Sequence, residues 1–183
     1  MNPELSLIAL VGMPGAGKSE AAEFFRSKNI PVLRFGDQTD IGLKEMGLPL
    51  NEANERMYRE KIRSELGMAA MAIKIEPRVI EAAKTSSTVV LDGLYSWEEY
   101  KFLIEKFPSL TIVCIFAPPE IRYERLAHRA VRPLRHDEAQ SRDYAEIEKL
   151  NKGGPIAMAD IVLVNTGTKT EFVADLEAFY NNI

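Results

Sequence analysis

The chain has 183 residues, of which 46% are hydrophobic and 27% are charged. That length fits one domain better than two, and the composition is that of an ordinary globular protein. The net charge of −4 argues against a protein that attracts nucleic acid or an anionic membrane through its overall charge. We therefore expect no nucleic-acid partner, and we expect any bound anion to be held by local features.

The cysteine count and the hydropathy pattern indicate the compartment in which the protein works. The single cysteine, Cys114, lies in the apolar run 111–116, which excludes an internal disulfide and predicts a buried thiol. The sequence shows neither a signal-peptide pattern nor an apolar stretch of about 18 residues. We therefore predict a cytoplasmic protein without a membrane partner.

Five short apolar runs follow one another along the chain, separated by stretches with helical patterns. Each run is nearly continuous in apolar residues, which is typical of strands buried on both faces of a parallel sheet. Their alternation with helices predicts an α/β fold with a five-stranded parallel sheet. The runs are 5–11, 31–35, 88–91, 110–116 and 161–164.

The first strand leads into a segment that matches the phosphate-binding pattern G-x-x-x-x-G-K-[ST] in full. A helix is predicted from Lys18 to about Ser27, so the strand and helix that this pattern requires are both present. The backbone N–H groups and the helix N-terminus suit a phosphate chain, with Lys18 on the β- and γ-phosphates and Ser19 on Mg²⁺. The alternative is an ordinary glycine-rich turn. The predicted nucleotide site here comprises Gly12, Met13, Pro14, Gly15, Ala16, Gly17, Lys18, Ser19 and Glu20.

Aspartates stand at the carboxyl ends of the second and third strands, where ligands gather on a parallel sheet. Asp37 follows Phe35-Gly36 and is a candidate catalytic base or acceptor ligand; the alternative is a helix N-cap. Asp92 ends the apolar run 88–91 and is a candidate to orient Mg²⁺; the alternative is a turn residue before Gly93.

The connection between the second and third strands, 36–87, is longer than a simple crossover needs. It predicts two or three helices with breaks at 47–49, Gly67 and Pro77, and with Asn51 as the N-cap of a helix through 66. Arg56, Arg59 and Arg63 share one face of that helix, and Arg63 is the best candidate for an acceptor phosphate. Interspersed glutamates make a solvated, ion-paired face the alternative.

After the fourth strand, Pro119 predicts the first position of a helix, and several arginines follow. Arg125 and Arg129 lie one helical turn apart and, with Arg132, are candidates to surround the transferring phosphoryl group on a closing lid. The alternative is a surface helix whose arginines pair with nearby acids, most easily for Arg122 and Arg135. The histidines of this stretch are assigned no role.

The last strand ends in a polar turn, 165–167, from which Asn165 and Gly167 are predicted to line the nucleotide; an ordinary strand-to-helix turn is the alternative. The final helix is predicted over about 169–180. Its apolar residues at i, i+1, i+4 and i+7 form a core-facing stripe: Phe172, Val173, Leu176 and Phe179.

These motifs occur in the order seen in nucleotide kinases, and the chain resembles a small archaeal nucleotide-kinase-like family related to dephospho-CoA kinase and adenylate kinase. The resemblance covers nearly the whole length. It implies one P-loop kinase domain, 1–183, with three layers, an acceptor-binding insertion at about 37–87 and a short arginine-rich lid at about 125–150. It also implies ATP with Mg²⁺ as donor. The motifs are 12–19, 35–37, 91–93, Arg125 with Arg129, and 159–167.

The chain departs from the adenylate-kinase pattern at two positions. Adenylate kinases carry an arginine after the Gly-Asp pair that Gly36-Asp37 matches, but Gln38 stands there. They also carry an arginine a few residues after the Asp-Gly pair, whereas 94–96 is Leu-Tyr-Ser. Asp37, Arg63, Gly93 and Arg132 remain the predicted acceptor-binding residues, and Asp37 also matches the base of dephospho-CoA kinases.

The leading hypothesis is therefore phosphoryl transfer from ATP–Mg²⁺ to a nucleotide-like small molecule, with a nucleoside monophosphate ahead of dephospho-CoA. A non-catalytic module switched by nucleotide is the second hypothesis. A GTPase is disfavoured because 151–154 reads Asn-Lys-Gly-Gly, without the aspartate that reads guanine. An RNA-remodelling ATPase is disfavoured by the acidic net charge.

Overall fold

The computed structural model describes residues 5–130 and 132–182. Its five strands form one parallel sheet in the order β2-β3-β1-β4-β5, which confirms the predicted five-stranded parallel sheet. The strand that carries the phosphate-binding pattern is therefore the central one. The strands are β1 Ser6–Val11, β2 Val32–Arg34, β3 Thr88–Asp92, β4 Leu110–Phe116 and β5 Ile161–Val164.

Helices cover both faces of this sheet. They are α1 Lys18–Ser27, α2 Asp37–Glu45, α3 Glu52–Leu66, α4 Ala70–Ala82, α5 Trp97–Lys106, α6 Pro119–His128, α7 His136–Leu150, α8 Gly153–Ala157 and α9 Lys169–Tyr180. Within the part of the chain that the structure describes, no helix is both long and apolar enough to cross a bilayer.

Alternate residues of β1 enter two separate apolar clusters, which explains its continuous apolar sequence. Leu7 packs in a cluster with residues of α4 and α5, among them Ile75 and Leu103. Ile8 packs on the opposite face with residues of α1 and α9, among them Phe25. Every residue from Leu7 to Val11 is fully buried, as expected of a central strand between two helical layers.

Local signals set several helix ends as predicted. The Asn51 side chain accepts a hydrogen bond from the Asn54 backbone N–H at 3.0 Å and caps α3, because the first N–H groups of a helix have no partner within it. Pro119 stands at the start of α6. The predicted final helix is also present, although Val173 is 36% exposed and does not belong to its buried stripe.

The predicted break at Pro77 is wrong, because Pro77 lies inside α4. A proline in a helix interior costs about 3 kcal/mol. The same helix buries Ile75 and Val79 completely, and burying such a side chain contributes about 1.5–3 kcal/mol. Burial of this face therefore offsets the cost of the proline and keeps the helix continuous.

Candidate functional site

The phosphate loop joins β1 to α1 at the carboxyl end of the central strand. Gly17 has φ +112°, and a Cβ there would stand 2.2 Å from Asn165 Nδ2. Gly12 has φ +138°, and a Cβ there would stand 2.3 Å from the Ile115 carbonyl oxygen. The loop is therefore packed against the ends of β4 and β5, and only glycine fits at these two positions.

Lys18 begins α1 and folds back over the loop. Its Nζ donates hydrogen bonds to the carbonyl oxygens of Gly12 at 2.7 Å and Met13 at 3.1 Å. Burial lowers the pKa of Lys18 to about 7, and the positive charge of Lys152 acts in the same direction. A bound anion at this position would restore the charge that burial opposes.

Ser19 and Asp92 line one cavity with the loop, here called the phosphate-loop cavity, which has a volume of about 470 Å³. Asp92 is the last residue of β3 and pairs with Leu10 of β1. It therefore lies at the carboxyl end of the sheet, next to the loop. Burial raises the pKa of Asp92, while Lys18 opposes that shift. One hydroxyl and one carboxylate fit a Mg²⁺ ion that keeps waters and phosphate oxygens as its other ligands.

Arg125 on α6 also lines this cavity. Its Nη2 donates to Asn165 Oδ1 at 3.3 Å, while Asn165 Nδ2 donates to the Ala16 carbonyl oxygen at 2.8 Å. Arg125 Nη1 is buried and, among the described residues, has no hydrogen-bond partner. A buried donor without a partner is costly, so this nitrogen fits a polar or anionic ligand.

A smaller cavity of about 350 Å³ continues from the phosphate-loop cavity past Arg125. The predicted residues Glu20, Asn165 and Gly167 all line it, together with Phe172. The polar turn after β5 thus reaches the same end of the sheet as the loop.

Arg122 does not behave as the expected surface residue. It is 4% exposed and forms a two-point ion pair with Asp143 of α7, at 3.0 and 2.6 Å. Its Nη1 also donates to the Pro14 carbonyl oxygen at 3.0 Å. Arg122 therefore joins α7 to the phosphate loop. Arg135, in contrast, is exposed and pairs with Asp137 and Glu138, as expected.

A second large cavity, of about 560 Å³, lies over α3 and is called the arginine-rich cavity. Arg63 and Arg132, both predicted acceptor residues, line it. Within residues 5–130 and 132–182 their side chains make no hydrogen bond or ion pair. Arg59 pairs with Glu55 at 3.1 Å and with Glu52 at 3.4 Å. Five arginines line the cavity: Arg34, Arg59, Arg63, Arg132 and Arg142.

The phosphate-loop cavity and the arginine-rich cavity, hereafter called the two large cavities, share a wall. Arg34, Gly36, Tyr95 and Arg142 line both of them, so a group bound in one can reach a group bound in the other. Arg34, Tyr95 and Arg142 were missing from the predicted site. Arg34 and Tyr95 lie beside the motifs 35–37 and 91–93 without belonging to them, and Arg142 lies in no motif. Their shared position becomes evident only when the end of β2, the turn after β3 and α7 are brought together.

Asp37 is the first residue of α2. Its carboxylate lies 3.5 Å from Arg34 Nε and 3.6 Å from an Arg78 terminal nitrogen. The cavity linings include the adjacent Gly36 but not Asp37. Asp37 therefore contacts Arg34, a residue of the shared wall, and is not itself among the lining residues of either cavity.

Gly93 lies in the turn that brings Tyr95 to the shared wall. It has φ +97°, and a Cβ there would stand 3.0 Å from the Tyr95 ring. Arg129 follows α6 and lines the phosphate-loop cavity. Its Nε donates to the carbonyl oxygen of Arg132, so the segment after α6 contributes one arginine to each large cavity.

Comparison with known proteins gives relatives over nearly the whole chain. The family described as "AAA domain" matches residues 8–149. A UPF0200 protein of Pyrococcus abyssi is 34% identical over 181 residues, covering 97% of this chain and 96% of the relative. A UPF0200 protein of Sulfurisphaera tokodaii is 33% identical over 183 residues, covering 98% of both.

Solved structures share the fold at low sequence identity. TT1252 from Thermus thermophilus has a TM-score of 0.68 at 19% identity, with 98% of both chains covered. A shikimate kinase from Bacteroides thetaiotaomicron has a TM-score of 0.60 at 15% identity, with 96% of this chain and 98% of that chain covered. The nucleotide-kinase-like P-loop fold inferred from the motifs is confirmed, and the chain belongs to the UPF0200 family of P-loop proteins.

Proposed function

We propose that this protein transfers the γ-phosphoryl group of ATP, bound with Mg²⁺, to a nucleotide-like small molecule. The observation that carries the proposal is the wall shared by the two large cavities. A nucleotide on the phosphate loop would place its terminal phosphate at this wall, and an acceptor in the arginine-rich cavity would meet it there. In-line transfer needs the attacking oxygen of the acceptor on the side of the γ-phosphorus opposite the leaving oxygen of ADP, with water excluded.

The donor side is assigned from the phosphate loop and the residues around it. The loop N–H groups and Lys18 hold the β- and γ-phosphates, while Ser19 and Asp92 hold Mg²⁺, directly or through its waters. Arg125 and Arg129 bring positive charge to the phosphates, and the buried Nη1 of Arg125 has no hydrogen-bond partner among the described residues. The magnesium ion neutralises the phosphate oxygens, and the protein positions them.

The arginine-rich cavity, where the acceptor would bind, is suited to an anionic molecule. Arg63 and Arg132 face the arginine-rich cavity without a carboxylate partner among the described residues, and planar guanidinium groups suit phosphate oxygens. The volume of about 560 Å³ is within the range of small-molecule sites. A nucleoside monophosphate is the first choice, because its phosphate is already ionised and needs no base, whereas Asp37 is held by two arginines.

The test is to incubate the protein with ATP, Mg²⁺ and a panel of nucleoside monophosphates plus dephospho-CoA, and to resolve the products by mass. We expect one acceptor to gain a phosphoryl group, and Lys18→Ala to abolish the gain while the variant keeps its fold and still unfolds cooperatively. Lys84→Ala is the matched control, since Lys84 is an exposed lysine that pairs only with Glu81 within the described residues. Transfer retained in Lys18→Ala would refute the proposal.

A different outcome would favour the switch hypothesis. Tight ATP binding with no phosphorylated acceptor, together with slow hydrolysis in the absence of any acceptor, would point to a module controlled by its nucleotide state.

A further inference from the structure

Lys152 is a buried lysine that neither large cavity includes in its lining. It lies between α7 and α8 and is 1% exposed. Its Nζ pairs with Glu146 Oε2 and lies 4.7 Å from the centroid of the Tyr95 ring. Lysine is almost never fully buried unless it is paired. Burial lowers the pKa of Lys152, and the Glu146 carboxylate opposes that shift.

Glu146 holds one cation on each of its carboxylate oxygens. Oε2 contacts Lys152, and Oε1 accepts a hydrogen bond from Arg142 Nε at 3.1 Å. Contact at Nε leaves the two terminal nitrogens of Arg142 without a protein partner among the described residues. Arg142 is also one of the residues that line both large cavities.

A carboxylate with both oxygens available prefers to bind an arginine at two points. Such a pair would turn the guanidinium toward Glu146 and remove nitrogens from the shared wall. Lys152 occupies the second oxygen, and the Tyr95 ring restricts where its Nζ can lie. The contact with Arg142 is therefore limited to Nε.

We propose that the buried Lys152–Glu146 pair is a positioning device that directs the terminal nitrogens of Arg142 at the γ-phosphate of the bound nucleotide. This inference rests on the proposed function, because it places a triphosphate on the loop. Lys152 and Glu146 do not touch the ligand. They act on the γ-phosphate through Arg142. Lys152 also contacts the Tyr95 ring on the same wall, and its charge lowers the pKa of Lys18, an effect that ATP and ADP share.

A purely structural role for the pair predicts a different result from a positioning role. Loss of a structural pair weakens all nucleotide binding together, because the whole site loosens. Loss of the positioning pair removes a contact that only the γ-phosphate makes, so the affinity for Mg·ATP falls relative to that for Mg·ADP. The ratio of the two affinities separates these cases without knowledge of the acceptor.

The experiment is isothermal titration of Lys152→Met with Mg·ATP and with Mg·ADP, with thermal unfolding as the measure of folding. A hydrogen bond to a charged group contributes enough that its loss lowers the Mg·ATP to Mg·ADP affinity ratio about tenfold. Lys149→Met is the matched control, since Lys149 is an exposed lysine on the same helix, and its ratio is expected to equal that of the wild type. In an Arg142→Ala background, Lys152→Met is expected to cause no further fall.

A second variant covers the case in which Lys152→Met leaves Glu146 unpaired and does not fold. Glu146→Gln with Lys152→Met removes both charges together, which a buried pair often tolerates, and is expected to show the same fall in the ratio. Equal losses of ATP and ADP affinity, or an unchanged ratio in folded protein, would overturn the positioning role alone. A wild-type protein that binds neither nucleotide would overturn the proposed function as well.

Discussion

Replacing Asp143 with alanine tests how firmly α7 is attached to the phosphate loop. Asp143 accepts two hydrogen bonds from Arg122, at 3.0 and 2.6 Å, and one from the Tyr123 hydroxyl at 2.9 Å. Asp143→Ala would leave the Arg122 guanidinium buried without its counter-ion. Removing one partner of a buried ion pair destabilises a protein by about 3–5 kcal/mol.

For a domain of this size each kcal/mol lowers the unfolding temperature by about 2–4 °C, so we expect Asp143→Ala to lower it by about 10 °C. Urea unfolding followed by circular dichroism gives the free energy directly. Arg135→Ala is the control, because both members of the Arg135–Asp137 pair are exposed, at 76% and 73% of their side-chain area, and exposed pairs contribute at most about 1 kcal/mol.

The double variant Arg122→Met with Asp143→Leu removes both charges and is expected to be more stable than Asp143→Ala alone. A loss of less than about 1 kcal/mol in Asp143→Ala, equal to that in Arg135→Ala, would refute the reasoning. That result would mean that water reaches the Arg122 guanidinium and compensates its charge.

Two further predictions concern stability. Gly42→Ala should destabilise the protein by about 1–3 kcal/mol in urea unfolding, because its Cβ would lie 2.0 Å from the Tyr58 ring. Gly153→Ala is the control and should be neutral, because among the described residues its Cβ would meet no atom within 4 Å beyond its chain neighbours and its own helix backbone. Equal losses in the two variants would contradict this reasoning. Burial raises the pKa of Glu99 to about 7, despite hydrogen bonds from the backbone N–H groups of Tyr95 and Ser96. The folded state then binds more protons than the unfolded state between about pH 4.5 and pH 7, so this group's contribution to stability falls as pH rises through that window. Glu99→Gln should flatten this part of the stability–pH profile, and a profile parallel to that of the wild type would show that Glu99 does not titrate there.

The sequence predicts well those parts of the fold whose conformation is determined by residues close together in the chain. The segment 12–19 carries its own glycines, lysine and flanking apolar strand, so its conformation follows from contiguous residues. Asn51 caps its helix through a residue three positions away. The continuous apolar runs predict a sheet buried on both faces, since a half-exposed strand would alternate.

The parts that escaped prediction depend on residues far apart in the chain. Arg122 is held by Asp143, 21 positions later, and contacts Pro14, 108 positions earlier; on sequence alone its nearest acids are exposed neighbours. Arg34 and Arg142 meet at one wall although β2 and α7 are separated by most of the chain. No pattern within a window of a helix or strand contains that information.

The central position of β1 has a consequence for the order in which the molecule is assembled. Ser6 pairs with Thr88 on one side, and Leu7 pairs with Leu110 on the other. The strand that leads into the phosphate loop is synthesised well before both of its partners, β3 and β4. Such non-local pairing folds slowly, and the loop also waits for Asn165, which bonds to Ala16. We therefore expect the loop to bind nucleotide only after β3, β4 and the turn that carries Asn165 have been synthesised.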